Sequence, residues 1–259
     1  MTHRLTLVAH DGTPFDAYVA LPDGVAPPDG VGVPSGAPRG GLVLIHEIWG
    51  LVPHIEDVAD RYAAEGYLVI APDILSHGGV TPRVGEELFA IMSSPSEAVR
   101  TEGQPRLREA FSVMRAPDYA EWAVGALRAA VDWLQDAPDV DGRIGVTGFC
   151  FGGTYSFALA ADDDRIRAAV PFYGTAPDAE AITRIHAPIL AIYGAHDPAL
   201  IDALPEVRAL MAAAHVDFQA VVYPDAAHAF FNDTGARYRE QDAADAWRRV
   251  LAFFADHLR

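Results

Sequence analysis

The stretch Gly148-Phe149-Cys150-Phe151-Gly152-Gly153 constrains the fold of this chain more than any other. It follows the apolar run 143–147 and precedes a helix-compatible run over 154–161. A strand that turns sharply into a helix between flanking glycines is the setting of a nucleophile elbow, here with Cys150 where serine is more usual. The central residue of such a turn sits in a strained backbone conformation. Its neighbours two before and two after must lack bulk if strand and helix are to approach. Gly148 and Gly152 meet that requirement. Cys150 is the sole cysteine, and a free cysteine is among the most buried residue types, so a structural thiol is the competing reading.

The surrounding pattern fits such an elbow. Residues 4–9 and 15–21 alternate as two short antiparallel strands joined at Asp11-Gly12, a hairpin signal. Residues 22–40 are rich in glycine and proline without periodicity and read as an irregular surface loop. Strands are expected at 41–46, 67–71, 143–147, 168–173, 189–193 and 218–223. Helices are expected at 54–65, 118–135, 154–161, 205–214 and 236–258, with Asp118-x-x-Glu121 as a capping box for the second. Short, almost wholly apolar strands alternating with helices imply one α/β domain over 1–259, with a mostly parallel central sheet covered by helices on both faces.

Composition narrows the function. With 259 residues, 51% of them hydrophobic, the chain can bury a large core. A net charge of −17 argues against nucleic acid, since phosphate binding needs a basic surface. No stretch approaches the ~18 consecutive apolar residues of a membrane span. The beginning of the chain has no apolar signal core, and a single cysteine gives no disulfide, so a cytoplasmic location is expected. His54, His77, His186 and His196 are scattered without metal-site spacing, and neither a metal nor a cofactor is expected.

In a parallel α/β sheet, ligands bind beyond the carboxyl ends of the strands. Three reactive residues fall there: Cys150 after 143–147, Asp197 after 189–193, and His228 after 218–223. Nucleophile, acid and base come in the chain order of α/β-hydrolases. His228 can take the thiol proton, and Asp197 can hold the imidazole in the needed tautomer. The rival acids are Asp225, only three residues from His228 on one loop, and Asp202, several residues beyond its strand end. The oxyanion of a tetrahedral intermediate needs preorganised donors. The Phe151 N–H at the elbow and the Ile48 N–H after the strand 41–46 are the candidates.

Together Leu44-Ile45-His46-Glu47-Ile48-Trp49-Gly50, Ala71-Pro72-Asp73, the Cys150 block, Gly194-x-x-Asp197 and His228-Ala229-Phe230 resemble the dienelactone hydrolase family over residues 41–258. The resemblance implies an α/β-hydrolase fold and cofactor-independent hydrolysis of a small ester or lactone by a Cys150-His228-Asp197 triad. It further implies that Glu47 contacts the thiol and takes part in generating the thiolate. From its own position Glu47 is a carboxylate at the end of an apolar strand, where an unpaired charge is costly; an ordinary salt bridge is the alternative.

The departures concern substrate. Family members acting on the acidic dienelactone carry two arginines for its carboxylate; His77 and Asn232 stand at those positions. Neither restores a bidentate guanidinium fork, so a changed substrate preference is expected. Arg83, Arg106, Arg108, Arg115 or Arg237 could supply a cation from another direction. The segment 76–117 is long for a structureless loop and reads as a lid or pocket wall. Trp49, Phe149, Trp122 and Tyr155 are candidate pocket aromatics, with core packing as the alternative for Trp122 and Tyr155. A small ester or lactone is the expected partner of a monomer or small homo-oligomer. The competing functional readings are a non-catalytic ligand-binding or regulatory homologue and a cysteine peptidase.

Overall fold

The apolar runs assemble into one eight-stranded sheet. In the computed structural model, which describes residues 2–23 and 37–259, the chain runs β1 (Thr2–Val8), β2 (Pro14–Ala20), β3 (Gly41–Ile45), α1 (Pro53–Ala64), β4 (Leu68–Pro72), α2 (Pro82–Met92), α3 (Glu97–Ala110) and α4 (Pro117–Asp136). It continues through β5 (Ile144–Phe149), α5 (Phe151–Asp162), β6 (Ile166–Phe172), α6 (Ala179–Ile182), β7 (Ile189–His196), α7 (Pro198–Ala213), β8 (Phe218–Ala227) and α8 (Glu240–His257). Strand order is β1-β2-β4-β3-β5-β6-β7-β8. The β1–β2 hairpin joins antiparallel to β4, and β3 to β8 run parallel.

Every residue of β3, β4 and β5 is buried, as strands covered on both faces must be. On one face Val43, Ile45 and Val146 pack with Leu127, Val131 and Phe157 of α4 and α5. On the other, Leu42, Leu44 and Val69 meet Ile55, Val58 and Phe254 of α1 and α8. Helix α1 buries Ile55, Val58, Ala59 and Tyr62, the one-face spacing of an amphipathic helix, and Gly66 at φ 97° turns the chain after it. Among the described residues no helix is long and apolar enough to cross a membrane.

The connections put β4 on one side of β3 and β5 on the other. The crevice beyond the carboxyl ends of β3 and β5 is therefore the switch point at which such a sheet offers a ligand site.

Several local expectations change. Helix α4 begins at Pro117, with Ala116 before it and no side-chain cap, so Asp118 lies inside the first turn and the capping box does not form. Proline at the first helical position already fixes φ and needs no N–H partner. Helix α7 likewise starts at Pro198 rather than Pro205, which is carried inside it. Both prolines carry the same start signal, and the earlier one follows directly on the strand. Helix α8 starts at Glu240 rather than 236, the preceding residues forming turns around Asn232. The expected loop 22–40 falls largely outside the described residues. The segment 76–117 is mostly helical, comprising α2, α3 and two short 3-10 turns, Ser76–Gly78 and Val113–Arg115.

Candidate active site

The elbow has the geometry its glycines call for. Cys150 sits at φ 56°, ψ −109°, a conformation an L-residue adopts only under constraint. A Cβ on Gly148 would lie 2.4 Å from the Gly152 carbonyl oxygen, and one on Gly152 would lie 2.1 Å from that of Ile45. At these two glycines strand β5, helix α5 and the end of β3 meet backbone to backbone. The Cys150 N–H donates to the Phe172 carbonyl at 3.0 Å, tying the strained residue to β6.

Asp197 follows β7 and His228 follows β8, neighbouring strands, and the ring Nδ1 of His228 lies 2.5 Å from Asp197 Oδ2. Nδ1 donates in that bond, which leaves Nε2 as the basic nitrogen. The rival acids are elsewhere: Asp225 pairs with Arg239, and Asp202 is exposed on α7. Cys150 and His228 line the same two cavities. No hydrogen bond joins the thiol to the imidazole among the described residues. The nearby Phe151 N–H, the first donor of α5, favours the ionised thiol. Burial and the nearby Glu47 carboxylate push the thiol up to about 12, so at neutral pH it is a protonated, unreactive thiol.

Glu47 is the buried carboxyl facing it, 2% exposed. Burial raises its titration to about 7, against the opposing pull of a hydrogen bond from Asn232 Nδ2 at 2.8 Å. The Asn232 amide is oriented by Thr234, whose N–H and hydroxyl donate to Asn232 Oδ1. The glutamate's alternative as a salt-bridge member is thereby removed; its partner is an amide. His46, fully buried, fixes the same loop. Its Nδ1 donates to the Glu47 carbonyl at 2.7 Å, and its Nε2 accepts from the Ile74 N–H at 3.2 Å. Burial lowers its basicity, in keeping with a neutral ring. The Ile48 N–H next along has no partner among the described residues, and Ile48 lines both cavities.

The remaining candidates separate. Trp49 lines the cavity on the Glu47 side and meets Phe89 and Phe111 of the 76–117 segment edge-on. Tyr155 lines the cavity on the other side. Phe149 does not reach the site: one residue before Cys150 on a strand, it points to the opposite face, packing on Phe172 and Phe231 in the core. His77 is also not at the site. It stacks on Trp122 at 3.8 Å, lining a separate cavity with His10 and Asp11, because flat ring stacking on the indole holds it there. Trp122 goes with it.

Tyr173 is a site residue that sequence reasoning missed. It directly follows β6, at φ 37°, with its ring 5.0 Å from His228 and its buried hydroxyl lacking a hydrogen-bond partner. Its position just past a strand end was the available signal. Among the described residues, no three or more His, Cys, Asp or Glu side chains gather as a metal site would need.

With this geometry in view, the comparisons agree. The profile of the Dienelactone hydrolase family matches residues 28–258. The putative carboxymethylenebutenolidase of Saccharolobus solfataricus is 29% identical, with 94% of each chain covered. That of Escherichia coli K12 is also 29% identical, over 95% of this chain and 90% of its own. The crystal structure of a putative dienelactone hydrolase from Klebsiella pneumoniae superposes with a TM-score of 0.76 at 28% identity, covering 98% of this chain and 99% of that one. The sheet, the Cys150 elbow and a match over most of the sequence lead to one conclusion: this chain belongs to the dienelactone hydrolase family.

Proposed function

We propose that the protein hydrolyses small carboxylic esters or lactones through a Cys150-His228-Asp197 triad and a thioester intermediate. The observation that carries this reading is the Asp197–His228 bond on the wall of a cavity that is also lined by Cys150 on its strained elbow. In the first step Cys150 Sγ bonds to the carbonyl carbon while its proton passes to His228 Nε2. The carbonyl oxygen becomes an oxyanion, accepting from the Ile48 and Phe151 N–H groups. Collapse of the intermediate expels the alkoxide, which takes the proton from His228. Water, deprotonated by His228, then attacks the thioester, and Cys150 leaves as the thiol. A lactone follows the same steps and yields a single hydroxy acid.

A resting thiol at about 12 requires help to ionise. Glu47, titrating near 7 beside it, takes part in generating the thiolate. The 76–117 segment serves as a substrate-binding wall. The acidic dienelactone is disfavoured because its compact ring needs a cation at the two positions the resemblance gives for its carboxylate, and there Asn232 is committed to Glu47 and His77 to Trp122; cations elsewhere on the pocket wall suit a carboxylate on a differently shaped substrate.

Initial rates of wild type and Cys150→Ala on p-nitrophenyl acetate and the acidic dienelactone test this directly. Turnover lost in the variant is expected, with the neutral ester preferred over the dienelactone. Turnover that survives the substitution contradicts the thiol mechanism.

A further inference from the structure

The nucleophile lies between two cavities of unlike chemistry. One, of about 650 Å³, is walled by Met114, Val124, Tyr155, Ala158 and Leu200, and among the described residues only Asp197 and His228 bring a carboxylate, imidazole or guanidinium group to it. The other, a slot of about 450 Å³, has Trp49, Phe89 and Phe111 on its walls together with Arg108, Arg115 and Arg237. Both volumes suit small-molecule groups.

The arginines are unusual in this chain. All 19 of its Lys and Arg positions are arginine, in a molecule of net charge −17, and most of them hold a carboxylate or a carbonyl. Arg83 and Arg106, for example, both pair with Glu87. Among the described residues the side chains of Arg39, Arg108, Arg115, Arg167 and Arg237 hold no carboxylate or carbonyl, and three of these five line the slot. Among the described residues lining the slot the carboxylate is Glu47, already bonded by Asn232. The charge of Arg237 is felt at the Cys150 thiol, which it favours in the ionised form. Unpaired guanidiniums beside aromatic walls fit an anionic oxygen group on an apolar stem.

The two cavities also bear on shape. In an open-chain ester the acyl and alkoxy groups leave the carbonyl in different directions and can occupy one cavity each. A small lactone keeps both in one ring and fills only one.

Resting on the hydrolase reading above, we infer that the substrate is an open-chain ester with an anionic terminus, held by Arg108, Arg115 and Arg237 in the slot, while its uncharged half lies in the apolar cavity. This assigns anion recognition to α3, the turn after it and the loop before α8.

The test uses the intact protein and two pairs of esters, each anionic compound matched to its neutral methyl ester. In 4-nitrophenyl monosuberate the anion is on the acyl side; in 4-acetoxybenzoate it is on the leaving-group side. The expected result is kcat/KM about tenfold or more higher for the anionic member of one pair, the scale of a charge-assisted hydrogen bond. That ratio should fall towards one in Arg108→Gln, Arg115→Gln and Arg237→Gln combined, and stay at the wild-type value in Arg167→Gln, which removes an unpaired guanidinium outside the slot. Circular dichroism confirms that the combined variant is folded, and the separate single variants serve if it is not. Cys150-dependent turnover with no anionic preference in either pair, or a preference that survives the combined substitution, overturns the inference and leaves the hydrolase reading standing. A carboxylated lactone turned over faster than both anionic esters overturns its open-chain part. No Cys150-dependent turnover of any ester removes the hydrolase reading and this inference with it.

Discussion

Replacing Glu47 with glutamine should make the protein more stable, and increasingly so as pH rises. The Glu47 carboxyl is buried, with one amide donor and no cation bonded to it. Moving its titration from 4.5 to about 7 means that the folded chain binds this proton more tightly than the unfolded chain does. Stability is therefore lost as pH rises from the ordinary carboxylate value through about 7, and the loss is complete above it. At about 1.4 kcal/mol for each tenfold change in proton affinity, the full loss is about 3 kcal/mol. Glutamine has nearly the same shape, can still accept from Asn232 Nδ2, and carries no proton to lose. Urea unfolding of wild type and Glu47→Gln at about pH 5, where a minor part of the loss has already occurred, and about pH 8 should show the variant's advantage growing by about 2 to 3 kcal/mol between the two conditions. An advantage that is equal at both pH values would refute the argument that an uncompensated carboxylate is buried beside the thiol. If Glu47 takes part in generating the thiolate, as proposed above, the same variant should also be a poorer enzyme.

Other expectations follow from the same contacts. Asn232→Ala removes the bond that pulls the Glu47 titration down, so the Glu47 limb of the kcat/KM–pH profile should move to higher pH; a shift to lower pH would contradict that role. Gly152→Ala sets a methyl group against the backbone of β3, which cannot move without the sheet, and should cost about 3 kcal/mol or more in urea unfolding. A cost under about 1 kcal/mol would mean the elbow is looser than described. With the resting thiol held at about 12, Cys150 alkylation by iodoacetamide should be slow near neutrality and climb steeply above it. Fast alkylation at neutral pH would show a thiolate already present.

Much of the site was legible because its residues obey a positional rule. Cys150, Asp197 and His228 all stand just past the carboxyl ends of parallel strands, and the glycines around Cys150 mark a turn where strand and helix meet backbone to backbone. Tyr173 obeys the same rule but was passed over, since a tyrosine after a strand carries no reactive signature of its own. His77 and Phe149 were misplaced for different physical reasons. The first is captured by ring stacking on Trp122, a contact between segments distant in sequence, and the second by the alternation of a strand that sends neighbours to opposite faces. The free arginines could not be told from the paired ones in sequence. Arg106 and Arg108 are two residues apart on one helix, yet one reaches Glu87 and the other lines the slot. Helix starts were blurred where two prolines offered the same signal, as at Pro198 and Pro205.

The central claim, that the Cys150 thiol becomes acylated during turnover, is tested most directly by acid-quenching the enzyme while it hydrolyses p-nitrophenyl acetate and measuring its intact and peptide masses. The account predicts one acetyl group per chain, confined to the peptide bearing Cys150, formed at a rate no slower than turnover and lost on continued incubation. An acetyl group on another residue, or undiminished turnover with Cys150 unmodified throughout, would contradict it.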